Sequence, residues 1–275
     1  MKTSVAERTA TYVILIAFTV FALFPIVGIV LSAVSPPEDM TAGFNVPSSI
    51  DLHNFVDAWQ QGHFARYLVN SIVVGVAVVA ATTLLATMAG YAFGSMRFPL
   101  AQPLFYLFLL GLMVPQEGVI VPLFYDLRDV GLTDTYWGLI LPQVAQSLSF
   151  GTFWMRAYFR SAPRPIVEAA RLDGASSWTT LWRVLLPMGR PALTTMVVLV
   201  FMWTWNEFLM ALVMVPANES LRTAPLGLAF FQGQYTSDFA LLAAASVIVA
   251  APVVVTYIAL QRRFIAGMLS GAVRE

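Results

Sequence analysis

The chain has 275 residues, of which 59% are hydrophobic and 11% are charged, and its mean hydropathy is +0.76. Soluble domains carry about 25% charged residues, so this composition excludes an ordinary water-soluble protein and indicates an integral membrane protein. The sequence has no cysteine, which excludes disulfides, iron–sulfur clusters and zinc–thiolate sites within the chain.

Apolar stretches long enough to cross a bilayer recur along the chain. Twenty-nine uncharged residues separate Arg8 from Glu38, and 30 separate Arg66 from Arg97, whereas about 20 residues span the hydrocarbon core. We therefore predict an all-α membrane protein, with residues 1–275 forming a single integral membrane domain. The six predicted transmembrane helices are 12–34, 68–93, 103–124, 135–159, 191–213 and 239–259.

The first predicted helix has one competing interpretation. Small residues at 32–35 would suit the end of a cleaved signal peptide. The apolar run that precedes them is longer than the 7 to 15 residues, roughly, of a signal-peptide core. We therefore expect 12–34 to be retained as a transmembrane helix.

The basic residues are concentrated on one side of the predicted membrane. An even number of spans places both termini on the same side, and that side receives 12 of the 15 basic residues. Because short cytoplasmic loops are enriched in lysine and arginine, both termini are predicted to be cytoplasmic. Residues 35–67 and 214–238 are then external loops, and 160–190 is a long cytoplasmic loop. Aromatic residues in 35–67 favour a small folded element there over a disordered linker.

The cytoplasmic loop 160–190 begins with the signals of a short helix. Pro165 suits a helix start, where its missing N–H costs nothing. Glu168 is expected in the first turn, where a carboxylate interacts favourably with the helix dipole. Gly174 is expected to end the helix, because glycine readily adopts the left-handed conformation.

A second short helix is predicted directly after the first. Ser176 or Ser177 can cap it, and it is expected to run through Val184, with Pro187 separating it from the fifth span. The two helices form a basic elbow that can either rest on anionic lipid headgroups or dock on another protein. The residue pattern alone leaves both alternatives open.

The spacing of Glu168-Ala-Ala, Gly174 and Pro187 resembles the "EAA" loop in the permease subunits of bacterial ABC importers. Asn70-Ser71 and the segment 205–208 are also similar to MalG-type carbohydrate permeases, members of the binding-protein-dependent transport system inner membrane component family. This resemblance implies the type I ABC importer fold, with a coupling helix that docks on an ATPase and a C-terminal segment, 271–275, that reaches toward the ATPase dimer interface. The implied docking residues are Glu168, Ala169, Ala170, Asp173, Gly174 and Pro187.

The resemblance also implies an assembly in the plasma membrane. Its partners would be a homologous permease subunit, two ATPase subunits, an external solute-binding protein and a sugar substrate, with no nucleic acid. The chain itself is expected to hold no cofactor and to be no enzyme, since Lys2 is its only lysine and a P-loop needs a lysine on the phosphates. ATP and Mg²⁺ would therefore bind to the partner ATPase subunits.

Two acids lie within predicted spans, Glu117 and Glu207. A charge inside the membrane is costly and is by default a hypothesis of function, so both are candidate pathway residues that could line a common cavity. Pro115 next to Glu117 predicts local breakage of the third helix. The alternatives are an interface anchor for Glu117 and an inter-subunit hydrogen bond for Glu207.

Three further side chains are candidates for contact with substrate. Trp205 and Asn206 offer the ring and the amide that stack on and bind sugars, and Gln143 on the fourth helix can face a cavity or a neighbouring helix. Two rival functions remain at this stage. One is a secondary transporter that uses Glu117 and Glu207 as an ion site, and the other is a membrane scaffold or sensor that transports nothing; an intramembrane enzyme is disfavoured because no histidine lies in a span.

Overall fold

The computed structural model describes residues 4–39, 46–232 and 238–272, and among these residues it contains helices and turns without a β-strand. This confirms the all-α class. Short helical turns lie at Pro37–Asp39, Glu219–Leu221, Ala224–Gly227 and Leu228–Phe231. The longer helices are α1 (Val5–Ala33), α2 (His53–Gln61), α3 (Phe64–Ser95), α4 (Ala101–Met113), α5 (Gln116–Asp129), α6 (Tyr136–Ser161), α7 (Arg164–Leu172), α8 (Ser177–Met188), α9 (Arg190–Trp205), α10 (Leu209–Met214) and α11 (Phe239–Ala272).

Three of the described helices are individually long and apolar enough to cross a membrane: α1, α3 and the Phe239–Arg262 part of α11. Two pairs qualify only when joined across a bend, α4 with α5 at 100° and α8 with α9 at 82°. Length and composition thus give three to five candidate spans. Helix α6 has 26 residues but is not among them; its glutamines, serines and two arginines make it more polar than the others.

The third predicted span, 103–124, is not one helix. Val114 and Pro115 have extended backbones, with ψ of 116° and 128°, and α5 starts afresh at Gln116. Proline lacks an N–H and its ring pushes the preceding residue out of the helical region. The local breakage that Pro115 suggested is therefore present.

The fifth predicted span, 191–213, is also interrupted. Helix α9 ends at Trp205, Asn206 caps it, and α10 begins at Leu209. The Asn206 amide donates to the Met202 carbonyl (2.7 Å), and the Glu207 carboxylate accepts from the Met210 N–H (2.7 Å). The Met202 carbonyl also accepts from the Asn206 backbone N–H (3.2 Å), and the Glu207 carboxylate pairs a backbone N–H in the first turn of α10.

The chain divides into two compact units, Met1–Ala65 with Gly227–Pro252, and Arg66–Leu226 with Val253–Glu275. In the first unit, the buried Asn54 amide of α2 donates to the carbonyls of Ala33 (3.1 Å) and Ser35 (2.8 Å), just where α1 ends. Further along, Ser48 donates two hydrogen bonds to Asp39, which hold the pKa of that carboxyl below its usual value. The segment after α1, predicted as an external loop, is therefore folded in its described part.

In the second unit, α3, α6 and α9 meet at glycines. A Cβ placed on Gly151 of α6 would lie 2.7 Å from the Ala86 Cβ of α3 and 3.2 Å from the Met196 sulfur of α9. Gly90 and Gly94 are four residues apart on α3, and both face α6 at similarly close range. Small residues at this spacing let helices approach closely where the hydrophobic effect cannot drive them together.

We expect Gly90→Ala to destabilise the protein and Gly75→Ala, on the same helix, to leave it unchanged or slightly more stable. A Cβ at Gly90 would lie 2.5 Å from the Met155 Cβ and 2.9 Å from the Arg156 backbone nitrogen, whereas at Gly75 the nearest atom is 3.9 Å away on Phe201. Overpacking costs about 1–3 kcal/mol, and a tolerated alanine in a helix gains about 0.5–1 kcal/mol. The check is the thermal unfolding temperature of each variant in detergent; equal shifts would contradict the close α3–α6 contact.

Candidate functional site

The α7 helix of the 160–190 loop has a defined start and end. Pro163 is its N-cap and Pro165 lies in its first turn. Gly174 has φ of +78°, the Gly174 N–H donates to the Arg171 carbonyl (3.0 Å), and the Ala175 N–H donates to the Ala170 carbonyl (2.9 Å). These two bonds form a Schellman motif, which confirms that Gly174 ends the helix.

The residues implied in docking lie mostly on the outside of this helix. Glu168, Ala169, Asp173 and Gly174 are exposed, whereas Ala170 is buried. Because α7 begins at Arg164, Glu168 is in the second turn and the first turn contains no acid. The expected position of Glu168 in the first turn was therefore wrong, and its carboxylate gains little from the helix dipole.

Alongside α7 runs an apolar groove of about 460 Å³, lined by small and aliphatic side chains from Pro165 to Ala175 and by Val184 of α8. Leu172 lies at the end of α7 with 89% of its surface exposed, and Trp178 of α8 is 60% exposed. Sequence reasoning missed both of these residues. The available signal was a leucine and a tryptophan in a loop otherwise rich in arginine.

The α8 helix differs from its prediction at the C-terminal end. The Ser176 hydroxyl accepts from the Thr179 N–H (3.2 Å), as expected of a cap. Helix α8 then continues to Met188 through a π-helical segment, Thr180–Leu185, so that the exposed Pro187 lies inside the helix and does not separate it from the fifth span. The wider π-helical turn gives the proline ring room that a regular α-helix lacks.

The candidate pathway residues of α5 and α6 lie around a group of glutamines. Gln143 is buried; its amide donates to the Leu139 carbonyl (2.9 Å), while its Oε1 has no hydrogen-bond partner among the described residues. Gln146 donates to Gln116 (3.0 Å), the first residue of α5. Glu117 follows in the first turn of α5 and is exposed.

The candidates at the α9–α10 break have local roles. Trp205 is buried, and its ring lies 5.6 Å from that of Phe201. Asn206 and Glu207 bind backbone groups on the two sides of the break, as described above. Helices α5 and α10 pack against each other, although no hydrogen bond among the described residues joins Glu117 to Glu207.

The second unit contains a hydrogen-bond network that sequence reasoning did not predict. The buried Asn70 amide donates to the carbonyls of Ser220 (2.8 Å) and Arg222 (2.9 Å), and its oxygen accepts from the Tyr136 hydroxyl (2.7 Å). The neighbouring Ser71 hydroxyl accepts from the Ala224 N–H (2.9 Å). Asn70 and Ser71 therefore fix the segment 220–224; their only sequence signal was the resemblance to carbohydrate permeases.

The structure defines a multi-pass membrane protein with broken apolar helices and a polar two-helix elbow. The particular family is the binding-protein-dependent transport system inner membrane component family, to which the chain belongs: the family pattern matches residues 83–269. This confirms the family that the EAA-like loop indicated. Membership favours an ABC importer permease over a secondary transporter or a scaffold.

Several permeases resemble the chain along nearly its whole length. A probable ABC transporter permease protein of Bacillus subtilis is 35% identical over 97% of this chain and 89% of that protein. The trehalose transport system permease protein of Mycobacterium tuberculosis is 32% identical over 98% of this chain and 99% of that protein. The diacetylchitobiose uptake system permease protein of Streptomyces coelicolor is 32% identical over 96% of this chain and 88% of that protein.

The fold resembles that of a solved importer. A crystal structure of a bacterial ABC transporter that imports alginate matches with a TM-score of 0.82 and 24% identity, covering 96% of this chain and 99% of that one. The fold is therefore that of an ABC importer permease, and the chain is a multi-pass inner membrane protein.

Proposed function

We propose that the chain is the permease subunit of an ATP-driven sugar importer and that α7 and α8 dock on a separate ATPase subunit. The observation that carries this proposal is Leu172, an aliphatic side chain that is 89% exposed at the end of a polar helix. Leaving such a side chain in water forgoes about 1.5–3 kcal/mol of burial. A protein cleft that encloses α7 recovers that free energy.

The chemistry of the docking surface follows from its residues. Ala169 and Gly174 are small and let another backbone approach closely, whereas Glu168 and Asp173 offer two carboxylates to basic groups on the ATPase. Ala170 is buried against the permease itself, so its part in docking is to seat α7 on its own subunit. Pro187 contributes indirectly, through the shape of α8.

A disaccharide or a longer oligosaccharide is the proposed substrate. The support is that two of the relatives described above are named for uptake of trehalose and of diacetylchitobiose. The proposed partners are a homologous permease, which completes the pathway, two ATPase subunits that hold ATP and Mg²⁺, and an external solute-binding protein. In support of the last, a structural neighbour with a TM-score of 0.70 was solved with a periplasmic binding protein bound to an alginate pentasaccharide.

We also propose that the chain crosses the membrane six times, with both termini in the cytoplasm, and that its two units belong to a single membrane domain. Helix α6 is long enough, at 26 residues, to be the crossing that composition alone does not identify. The α4–α5 and α9–α10 pairs then provide one crossing each. This topology places the exposed residues of α7 and α8 on the basic, cytoplasmic side.

For the pathway we propose Gln143, Glu117, Asn206, Glu207 and Trp205, in different roles. The Gln143 Oε1 is a buried acceptor without a hydrogen-bond partner among the described residues, and it would meet a sugar hydroxyl once the face of α6 around it opens. The exposed Glu117 and Asn206 can present polar groups to a water-filled cavity. Glu207 maintains the α9–α10 break through its bond to Met210 (2.7 Å). Trp205, the last residue of α9, has a buried side chain that packs inside the protein and so fixes the position of the helix end at the break.

The proposal is tested in proteoliposomes that contain the chain with its partner permease and ATPase. The binding protein is first screened by thermal shift against trehalose, maltose and diacetylchitobiose, and uptake of the sugar it binds is then measured. We expect uptake only when ATP is enclosed with the ATPase. Uptake driven by a proton or sodium gradient without ATP would overturn the proposal in favour of a secondary transporter.

A further inference from the structure

The junction of α8 and α9 is a bend at Gly189, where the two helices meet at an angle of 82°. The Gly189 N–H donates to the Leu185 carbonyl (2.9 Å), and the Gly189 carbonyl accepts from the Leu193 N–H (2.9 Å). Pro187 and Pro191 lie on either side of that glycine, and neither has an N–H with which to add further backbone bonds. Side-chain contacts from outside the two helices therefore add to what holds the angle between them.

Helix α6 supplies those contacts on both sides of the bend. The Tyr158 hydroxyl donates to the Leu185 carbonyl of α8 (2.8 Å), and the Trp154 indole N–H donates to the Ala192 carbonyl of α9 (2.9 Å). Trp154 and Tyr158 are four residues apart and so lie on one face of α6. We call these two side chains the α6 clamp.

The fit around Tyr158 is close. A Cβ on Gly189 would lie 2.5 Å from a Tyr158 ring carbon and 2.9 Å from its hydroxyl oxygen. The Leu185 carbonyl is part of a fully buried residue and also accepts from the Gly189 N–H (2.9 Å). The two lone pairs of the Leu185 carbonyl oxygen therefore accept one hydrogen bond from the Gly189 N–H and one from the Tyr158 hydroxyl.

We propose that the α6 clamp transmits movement of the docked elbow to α9, with Tyr158 as a positioning residue for the coupling of ATP hydrolysis to transport. This inference rests on the proposed function. Helix α6 is joined to α7 through residues 162 and 163 and is hydrogen-bonded to both α8 and α9. When the ATPase displaces α7 and α8, helix α9 therefore moves with them as one rigid body as far as the α9–α10 break, because the α6 clamp keeps the angle between α8 and α9 fixed.

The test is ATP hydrolysis by the reconstituted complex without binding protein, with ATP as the only ligand added. Tyr158→Phe removes the hydroxyl and keeps the ring over Gly189. Without that bond the ATPase subunits can close while α9 stays in place, so we expect hydrolysis in the absence of binding protein to rise about threefold to tenfold. The amount of ATPase that co-purifies is expected to be unchanged, and Trp154→Phe is expected to act in the same direction.

Tyr125→Phe is the matched control, because the Tyr125 side chain is about half exposed on α5. We expect the complex with this variant to hydrolyse ATP at the rate of the unchanged complex. Hydrolysis by Tyr158→Phe at the unchanged rate, or loss of the co-purified ATPase, would overturn the inference, the latter by giving the hydroxyl a purely structural role. If the unchanged chain itself binds no ATPase, the proposed function fails. If the unchanged chain binds an ATPase but Tyr158→Phe leaves hydrolysis unchanged, only the inference about the α6 clamp fails, so the two failures are distinguishable.

Discussion

Replacing Leu172 with lysine is expected to release the ATPase subunits while the permease stays folded in the membrane. Leu172 is 89% exposed, so it contributes almost nothing to folding of its own chain. In a docked cleft its burial is worth about 1.5–3 kcal/mol, which corresponds to a roughly 10- to 100-fold loss of affinity when it is removed. Desolvation of the ammonium group adds to this loss. The measurement is the amount of ATPase that co-purifies and the rate of ATP-driven uptake.

Lysine is chosen because a cation in the last turn of α7 interacts favourably with the helix dipole, so that unwinding of the helix is not the cause of any loss. The matched control is Leu100→Lys in the turn before α4, where the leucine is 70% exposed and is proposed to lie on the same side of the membrane. Leu172→Met keeps an apolar side chain and is expected to retain most of the ATPase. If Leu172→Lys and Leu100→Lys retain equal amounts of ATPase, α7 is not the docking helix.

Local signals account for what the sequence predicted well. The ends of α7 depend on Pro165 and Gly174, whose backbone preferences act within one or two residues; the end at Gly174 was predicted correctly, and the helix begins one residue before Pro165. The start of α8 at Ser176 is of the same kind. The family, too, was readable from a short local pattern, Glu168-Ala-Ala and its spacing to Gly174 and Pro187.

The sequence failed where geometry depends on distant contacts. Pro115 indicated a break, but the size of the bend, 100°, depends on the neighbours of α4 and α5. Pro187 was expected to separate α8 from the fifth span, yet the π-helical segment before it accommodates the proline ring. The Tyr158 hydroxyl, 27 residues away from Leu185, donates a hydrogen bond to the Leu185 carbonyl. Side-chain pairs of this kind have no periodicity that a single sequence reveals.

The exposure of individual side chains was equally difficult to predict from the sequence. An apolar residue in an apolar chain is expected to face lipid or the core, so the one sequence signal of Leu172, its place in an arginine-rich loop, did not reveal that it is exposed. Only the structure shows that α7 buries Ala170 and turns Leu172 outward. The docking surface is thus identified by a mismatch between residue type and environment, which becomes visible only once the helix is placed.

Asn70→Leu is expected to lower the thermal unfolding temperature by about 5–10 °C and to disorder the external loop that Asn70 holds. The substitution removes three hydrogen bonds, to the Ser220 carbonyl, the Arg222 carbonyl and the Tyr136 hydroxyl. Each of the three bonds contributes about 0.5–1.5 kcal/mol net to the free energy of unfolding, and the sum of roughly 2–4 kcal/mol gives the temperature shift. Thermal unfolding in detergent measures the shift, and protease cleavage at 216–222 reports the state of the loop.

Tyr136→Phe removes only one of the three bonds and leaves both carbonyls of the loop paired, so it serves as the graded control for Asn70→Leu. We expect it to shift the unfolding temperature by about a third as much and to leave the loop protected from protease. Equal effects of the two variants would show that the Asn70 bonds to the loop contribute nothing. The network joins residues 150 and 152 positions apart, and its bonds to the loop are made by backbone carbonyls. Substitutions at Ser220 or Arg222 are therefore expected to be tolerated where those at Asn70 are not, because only Asn70 contributes its side chain to those bonds.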